Sequence, residues 1–301
     1  MFSLLSDPLI VFGPRRGDAM ATRADALVAL GKVVDPRAKK HAQLRSGGLA
    51  VVVSTGGHSA WAFDLVNIEG RLVAATAVLV NAGGLWSVSA AALAAVPTGK
   101  QVKAESARDA VVPPGAAAAA RIDPAAAAVV AQFKRGLVDQ RLWGDELASQ
   151  SDAIVAGVSV GQIARGRPAI KQLWKARLKA NTRAAISGEP SAAVTPDGEL
   201  AWLSAPLTRV ADGDDPLPLR VFAIYQRDRA VWKLIALHEA VALDEPGSGA
   251  AFKKLLPPAP PPPETPRTEA AAADKKPDTT AKAKTKKKRR KPRAAPEPTS
   301  P

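Results

Sequence analysis

Residues 231–241 are a largely apolar run, interrupted by Lys233, His238 and Glu239, and read as a closing strand. A period of two marks a β-strand with one face turned toward a core. Read strictly, the inner face carries Trp232, Leu234, Ala236 and one polar group, His238. Three further strands are expected upstream, at roughly 189–195, 199–210 and 217–227. Pro196-Asp197-Gly198 and Asp212-Gly213-Asp214-Asp215 supply turns between them. Ahead of this meander the pattern changes to a helical period. Asp123-Pro124 caps a helix that runs through about Gln140, with proline in its first turn. A short helix is expected near 143–150 and a short apolar strand at 153–159. Gly166-Arg167-Pro168 opens another helix, with Ile170, Leu173, Trp174 and Leu178 on one stripe. Helices followed by an antiparallel meander predict an α+β fold.

The first hundred residues repeat this order without the opening helix. Ser6-Asp7 answers to Ser151-Asp152, and the helical stretch from Ala26 answers to that from Ala169. Gly57, Ala60 and Trp61 match Gly198, Ala201 and Trp202, and Trp86 matches Trp232. The offsets are 145, 143, 141 and 146, so they drift only by loop-sized steps. Such a fixed period indicates an internal duplication. In the first copy Ala92 and Leu93 stand where the second has His238 and Glu239. The expected organisation is a degenerate first domain over 1–96, a linker over 97–120, a second domain over 121–245 and a tail over 246–301. The missing first helix predicts an open flank on the first copy, near Leu27, Leu30 and Val34; either a start of the chain upstream of Met1 supplies the helix, or residues of the linker or the second repeat fill the gap.

Charge changes the picture only at the end of the chain. The net charge is +14, but 246–301 alone holds 14 Lys and Arg against 5 Asp and Glu. The remaining body is only mildly basic, so the average is no sign of a nucleic-acid-binding fold. The tail also holds 13 of the 26 prolines. It cannot bury enough apolar area to offset its chain entropy and is expected to be disordered. The absence of cysteine excludes disulfides and thiolate metal sites. Three scattered histidines have no metal-ligand spacing, and no phosphate loop or serine-nucleophile motif occurs. No cofactor, secretory leader or membrane span is expected, and the location is expected to be cytoplasmic.

The series Ser151-Asp152-Ala153-Ile154-Val155, Arg165-Gly166-Arg167-Pro168 with Trp174, Ala201-Trp202, Leu219 to Ile224, and Trp232 to His238 resembles the SnoaL-like domains of the nuclear transport factor 2-like superfamily. The resemblance covers about 121–245 well and 3–96 weakly. It implies tandem cones, each a curved antiparallel sheet wrapped on helices around an apolar pocket. It also implies pairing through the outer sheet faces, here within one chain. The superfamily holds isomerases, cyclases, dehydratases and members without activity, so the fold does not decide function.

The candidate ligand-binding set is Trp174, Trp202, Tyr225, Trp232 and His238. His238 either meets a ligand's polar group or fixes the end of the sheet. Tyr225 would donate to an oxyanion in isomerase-type chemistry, which also needs acids that the strands do not supply. The tryptophans either line a pocket or anchor a core. Arg165 and Arg167 stand at a helix start, where the dipole disfavours cations, which hints at an outside partner. The leading expectation is a protein that binds a small apolar ligand in the second cone, with the first copy as its pairing partner. One alternative is an isomerase, cyclase or dehydratase using His238 and Tyr225. Another is a scaffold tethered to nucleic acid or another polyanion by Lys286, Lys287, Lys288, Arg289, Arg290 and Lys291. Limited proteolysis is expected to strip 246–301 and leave a stable body near 245 residues; a protease-resistant tail would refute the reading of its composition.

Overall fold

The computed structural model describes residues 4–13, 19–33, 44–68, 71–97, 102, 121–141, 143 and 152–241. The linker and tail expectations lie almost wholly outside these residues, as do Leu142 and 144–151 of the expected short helix. Both sheets belong to one compact unit, Met1–Ala259.

The first repeat runs β1 (Leu5–Phe12), β2 (Ala19–Met20), α1 (Arg23–Val33), β3 (Leu44–Ser46), β4 (Ala50–Val53), β5 (Ser59–Ile68), β6 (Arg71–Ala82) and β7 (Leu85–Ala95). The second opens with a 3-10 turn at Pro124–Ala126 and α2 (Ala127–Val138). It continues with β8 (Ile154–Ala156), β9 (Ile163–Arg165), α3 (Gly166–Lys179), β10 (Arg183–Ile186), β11 (Ser191–Val194), β12 (Leu200–Val210), β13 (Leu217–Asp228) and β14 (Val231–Val241). The sheet orders are β2-β1-β7-β6-β5-β3 and β9-β8-β14-β13-β12-β10, with β4 on β5 and β11 on β12. The two topologies are identical, so the duplication holds strand for strand. Each sheet is antiparallel except where β1 meets β7 and β8 meets β14. The fold is α+β, as the periodicity predicts. The short strands β3, β9 and β10 escaped the sequence reading, because three or four residues are too few to show a period.

Asp123 does cap the second repeat. Its Oδ1 accepts the Ala125 N–H at 3.0 Å, and the α-helix follows after one 3-10 turn. Among the described residues the first repeat has no counterpart of α2. Its α1 leaves Val28 63% exposed, and Val51 and Val53 on β4 are about half exposed.

One core fills the second cone. Val129, Phe133 and Leu137 of α2 and Ile170 and Trp174 of α3 pack on Leu203, Val221, Tyr225, Leu234 and Leu237 of the sheet. Trp143 lies between two rings, 5.8 Å from Phe133 and 5.7 Å from Trp174. A second core joins the two sheets face to face. It holds Phe12, Trp61, Phe63 and Val78 from the first repeat and Ile154, Trp202, Phe222, Ile224 and Ile235 from the second. The tryptophan-bearing strands β5 and β12 therefore meet across this seam. The hairpin turns also meet there, one from each copy. Asp197 accepts Ser59 Oγ–H at 2.6 Å and Ser54 Oγ–H at 3.3 Å, and Glu199 accepts the Gly56 N–H at 3.0 Å.

Gly136 is the tightest point of the cone. A Cβ there would run into Trp143 Nε1. Gly136→Ala should therefore expel Trp143 from its ring stack and cost about 1–3 kcal/mol, despite the better helix propensity of alanine. Urea unfolding checks this, and an unchanged or raised midpoint would show that Trp143 does not depend on that gap.

Candidate functional site

The candidate residues divide according to one irregularity. Along β13 and β14, Ile224 pairs with Ala236 but Tyr225 pairs with Leu234, so Ile235 is an extra residue. Such a bulge reverses every side chain beyond it. Trp232 and Leu234 face the cone, and so do Leu237 and Val241 beyond the bulge. Ile235 and Ala236 face the seam. The strict alternation that put His238 on one face with Trp232 and Leu234 is thereby corrected. The same bulge occurs in the first repeat, where Val78 pairs with Ala90, Leu79 with Val88, and Ser89 is extra.

The expected ligand set consequently does not converge on one pocket. Trp174, Tyr225 and Trp232 belong to the cone core, with Tyr225 fully buried. Trp202 lies in the seam core and stacks on Phe222 at 5.9 Å. His238 also points across the seam, where its Nδ1 lies 3.0 Å from Thr76 Oγ1 of the first repeat. Its ring stands edge-on to Phe63 at 6.4 Å. Burial pushes the imidazole down to about 4, with the neighbouring Glu239 charge opposing only part of that shift. His238 is thus a neutral hydrogen-bonding partner between the copies at neutral pH. The equivalent position in the first repeat, Ala92, faces the same seam.

Glu239 is the residue that strand alternation alone could not flag. It is buried on the cone side, where Arg177 of α3 grips both oxygens at 2.8 and 2.7 Å and Arg209 of β12 adds a third bond at 2.7 Å. Burial alone would raise its carboxyl, but Arg177 and then Arg209 outweigh that and hold it below the usual range. Its partners lie 62 and 30 residues away in sequence, and this is why the sequence gives no local sign of them. The trio ties α3 to the sheet.

Arg165 is also accounted for within the chain. Its guanidinium lies 5.6 Å above the Phe63 ring, and its Nη2 donates to the Gly48 carbonyl at 3.2 Å. The partner that the sequence placed outside the molecule is the other repeat. Lys286 to Lys291 lie outside the described residues. No group of three or more potential metal ligands occurs among the described residues, and no helix there is long and apolar enough to cross a membrane.

A pocket of about 670 Å³ opens at one end of the seam. Leu9, Ile10, Val80 and Ser89 line it from the first repeat, and Ala193 and Trp202 from the second. Arg121, Asp123 and Pro124, at the approach to α2, also line it. Its size suits a small molecule, and its walls are mainly apolar with a few polar groups. This arrangement can hold a ligand. Neither His238, sealed in the seam, nor Tyr225, sealed in the cone, is among its lining residues.

No protein-family description matches this chain, and no curated protein does. Solved structures are similar to parts of it. One is a protein of unknown function with a cystatin-like fold from Nostoc punctiforme, at 22% identity, covering 38% of this chain and 85% of that one, with a TM-score of 0.30. Another is a nuclear transport factor 2-like superfamily protein from Salmonella enterica, at 13% identity, covering 39% and 89%, with a TM-score of 0.33. A third is a de novo designed protein with a curved β-sheet, at 13% identity, covering 37% and 95%, with a TM-score of 0.28. At these scores the likenesses assign neither activity nor ligand.

The burial of His238 has a consequence in acid. Between its unfolded value of 6.5 and its folded value of about 4, the unfolded chain binds a proton that the folded chain does not. Stability should therefore fall as pH drops through that window, by roughly 3 kcal/mol in all. Below about pH 4 this group adds no further loss. His238→Asn, which can still bond Thr76, should flatten the stability profile between pH 6.5 and 4. Urea midpoints across pH provide the check, and an equally steep profile in the variant would place the titrating group elsewhere.

Proposed function

We propose that this chain is a binding protein for a small, mainly apolar molecule, held in the pocket at the seam of its two repeats. The pocket itself carries this reading. It is the right size for a small molecule, it is walled mainly by apolar side chains, and its Trp202 ring is fixed by stacking on Phe222. The second cone supports the reading less well as the site of binding, because Phe133, Trp143, Trp174 and Tyr225 already pack within it. The enzyme alternative needs His238 and Tyr225 to act on one substrate. They lie on opposite faces of the same sheet, in two different cores, so nothing in the geometry favours it.

The test is a titration of the full chain with the neutral fluorophore N-phenyl-1-naphthylamine. Saturable binding with quenching of tryptophan emission is expected. Ala193→Leu, which places a larger side chain on the pocket wall, should weaken binding about tenfold or more without lowering the melting temperature. Absence of saturable binding would overturn the proposal, and so would equal affinity in the Ala193→Leu protein.

A further inference from the structure

The residues that line the pocket have counterparts at the opposite end of the seam. The strand registers give the correspondence residue by residue. Ile10 pairs with Ala90 as Ile154 pairs with Ala236, so β1 answers to β8. Val52 pairs with Trp61 as Ala193 pairs with Trp202. Trp202 and Ala193 at the pocket therefore answer to Trp61 and Val52 at the other pole. Ser89 and Ile235 are the extra residues of the two bulges and answer to each other. Met20 pairs with Val11 as Ala164 pairs with Val155, which makes Ala21 the equivalent of Arg165.

Several lining positions differ between the poles, among them Ala193 against Val52, and two differ most in side-chain length. At the other pole, Ile235 is 1% exposed in the seam core, and Arg165 lies over Phe63 with a bond to the Gly48 carbonyl. At the pocket, the same two positions carry only Ser89 and Ala21, and both line the opening. A hydroxyl and a methyl stand where the other pole has a buried branched alkyl chain and an exposed cationic one laid across Phe63. Ser89 Oγ is already directed to the Val78 carbonyl at 3.2 Å, so it adds little polarity to the wall.

The mouth decides the charge of what enters. Arg121 is the one cation lining the pocket, and among the described residues its guanidinium has no hydrogen-bond or ion-pair partner. The neighbouring carboxylate, Asp123, has Oδ1 committed to the Ala125 N–H. A free guanidinium fork suits a carboxylate through two parallel N–H···O bonds.

We propose that the pocket takes one anionic amphiphile per chain. Its apolar body lies beside Ser89 and Ala21, the positions that carry Ile235 and Arg165 at the other pole, and its carboxylate head is held by Arg121. This rests on the reading of the seam pocket as a ligand site, and the experiment separates the two.

Three probes with one naphthalene body are titrated against the full chain at low salt: 2-naphthoate, 2-naphthalenemethanol and 2-naphthylmethylammonium. The acid is expected to bind one per chain and at least tenfold more tightly than the alcohol, with the amine weakest. Arg121→Gln should bring the acid to the affinity of the alcohol and leave the alcohol unchanged. Ser89→Ile, which installs the residue of the other pole, should abolish binding of both without lowering the melting temperature. An alcohol or amine that binds as tightly as the acid would overturn the head assignment while leaving the pocket reading standing. An Arg121→Gln protein that binds the acid normally would do the same. Two probes per chain would overturn the inequality of the poles. If none of the three binds, the pocket reading itself fails.

Discussion

The second sheet of this protein is apolar on both faces, and neither face is stable in water. One face of the second sheet curls over α2 and α3 and closes a cone. The other has no helix of its own and is buried only because the first repeat supplies a matching sheet. The rest of the architecture follows from that requirement. Trp61 and Trp202 lie at corresponding points of β5 and β12, and each packs into the seam that the two copies share. At about 25 cal/mol per Å² of apolar surface, a sheet face of this kind is worth many kcal/mol, more than any single polar contact in the molecule. The hairpin turns at 54–59 and 195–200, locked by Asp197 and Glu199, set the alignment rather than supply the driving force.

Much of this was legible in the sequence, and the residues show why. Gly57 and Gly198 stand at turns that need positive φ (76° and 72°), so their spacing to the following tryptophans survived in both copies as a readable signal. The Asp123-Pro124 cap was readable because it is local. The phase of β14 was not. A bulge inserts one residue and leaves no mark in composition, yet it moved His238 from the cone to the seam. The Arg177–Glu239–Arg209 trio was invisible for a different reason: its members come from a helix and two strands that only the fold brings together. The candidate site suffered most. It straddles the two repeats, and no spacing within one repeat can announce a pocket made by both.

The buried polar groups divide the labour along the same line. Inside the cone, a carboxylate held by two arginines is fully satisfied, and a satisfied pair fixes geometry more than it adds stability. At the seam, His238 and Thr76 face one another from different repeats, beside the edge of Phe63. A buried imidazole next to an unmatched apolar surface would lose its hydrogen bond, at a cost of about 1–3 kcal/mol. The pair therefore favours one alignment of the sheets over any slipped alternative. Because the pseudo-equivalent of His238 is Ala92 and that of Thr76 is Phe222, the contact is made once and not twice.

That single occurrence shows what covalent fusion permits. In a dimer of identical chains, the interface repeats itself: if residue i meets j, then j meets i, and both ends of the seam are alike. A pocket at one end would be a pocket at both, and a side chain that filled one would fill the other. Joining the copies in one chain removes this constraint, because each position can vary alone. Ser89 can stay small while Ile235 is large, and Ala21 can end at a methyl while Arg165 reaches across to Gly48. One pole then gives the body the packing it needs to hold two sheets together. The other is free to remain open, with Trp202 as a rigid wall and Arg121 at its mouth. Packing and an open pocket, which compete for the same surface in a symmetric dimer, here lie at different places along one seam.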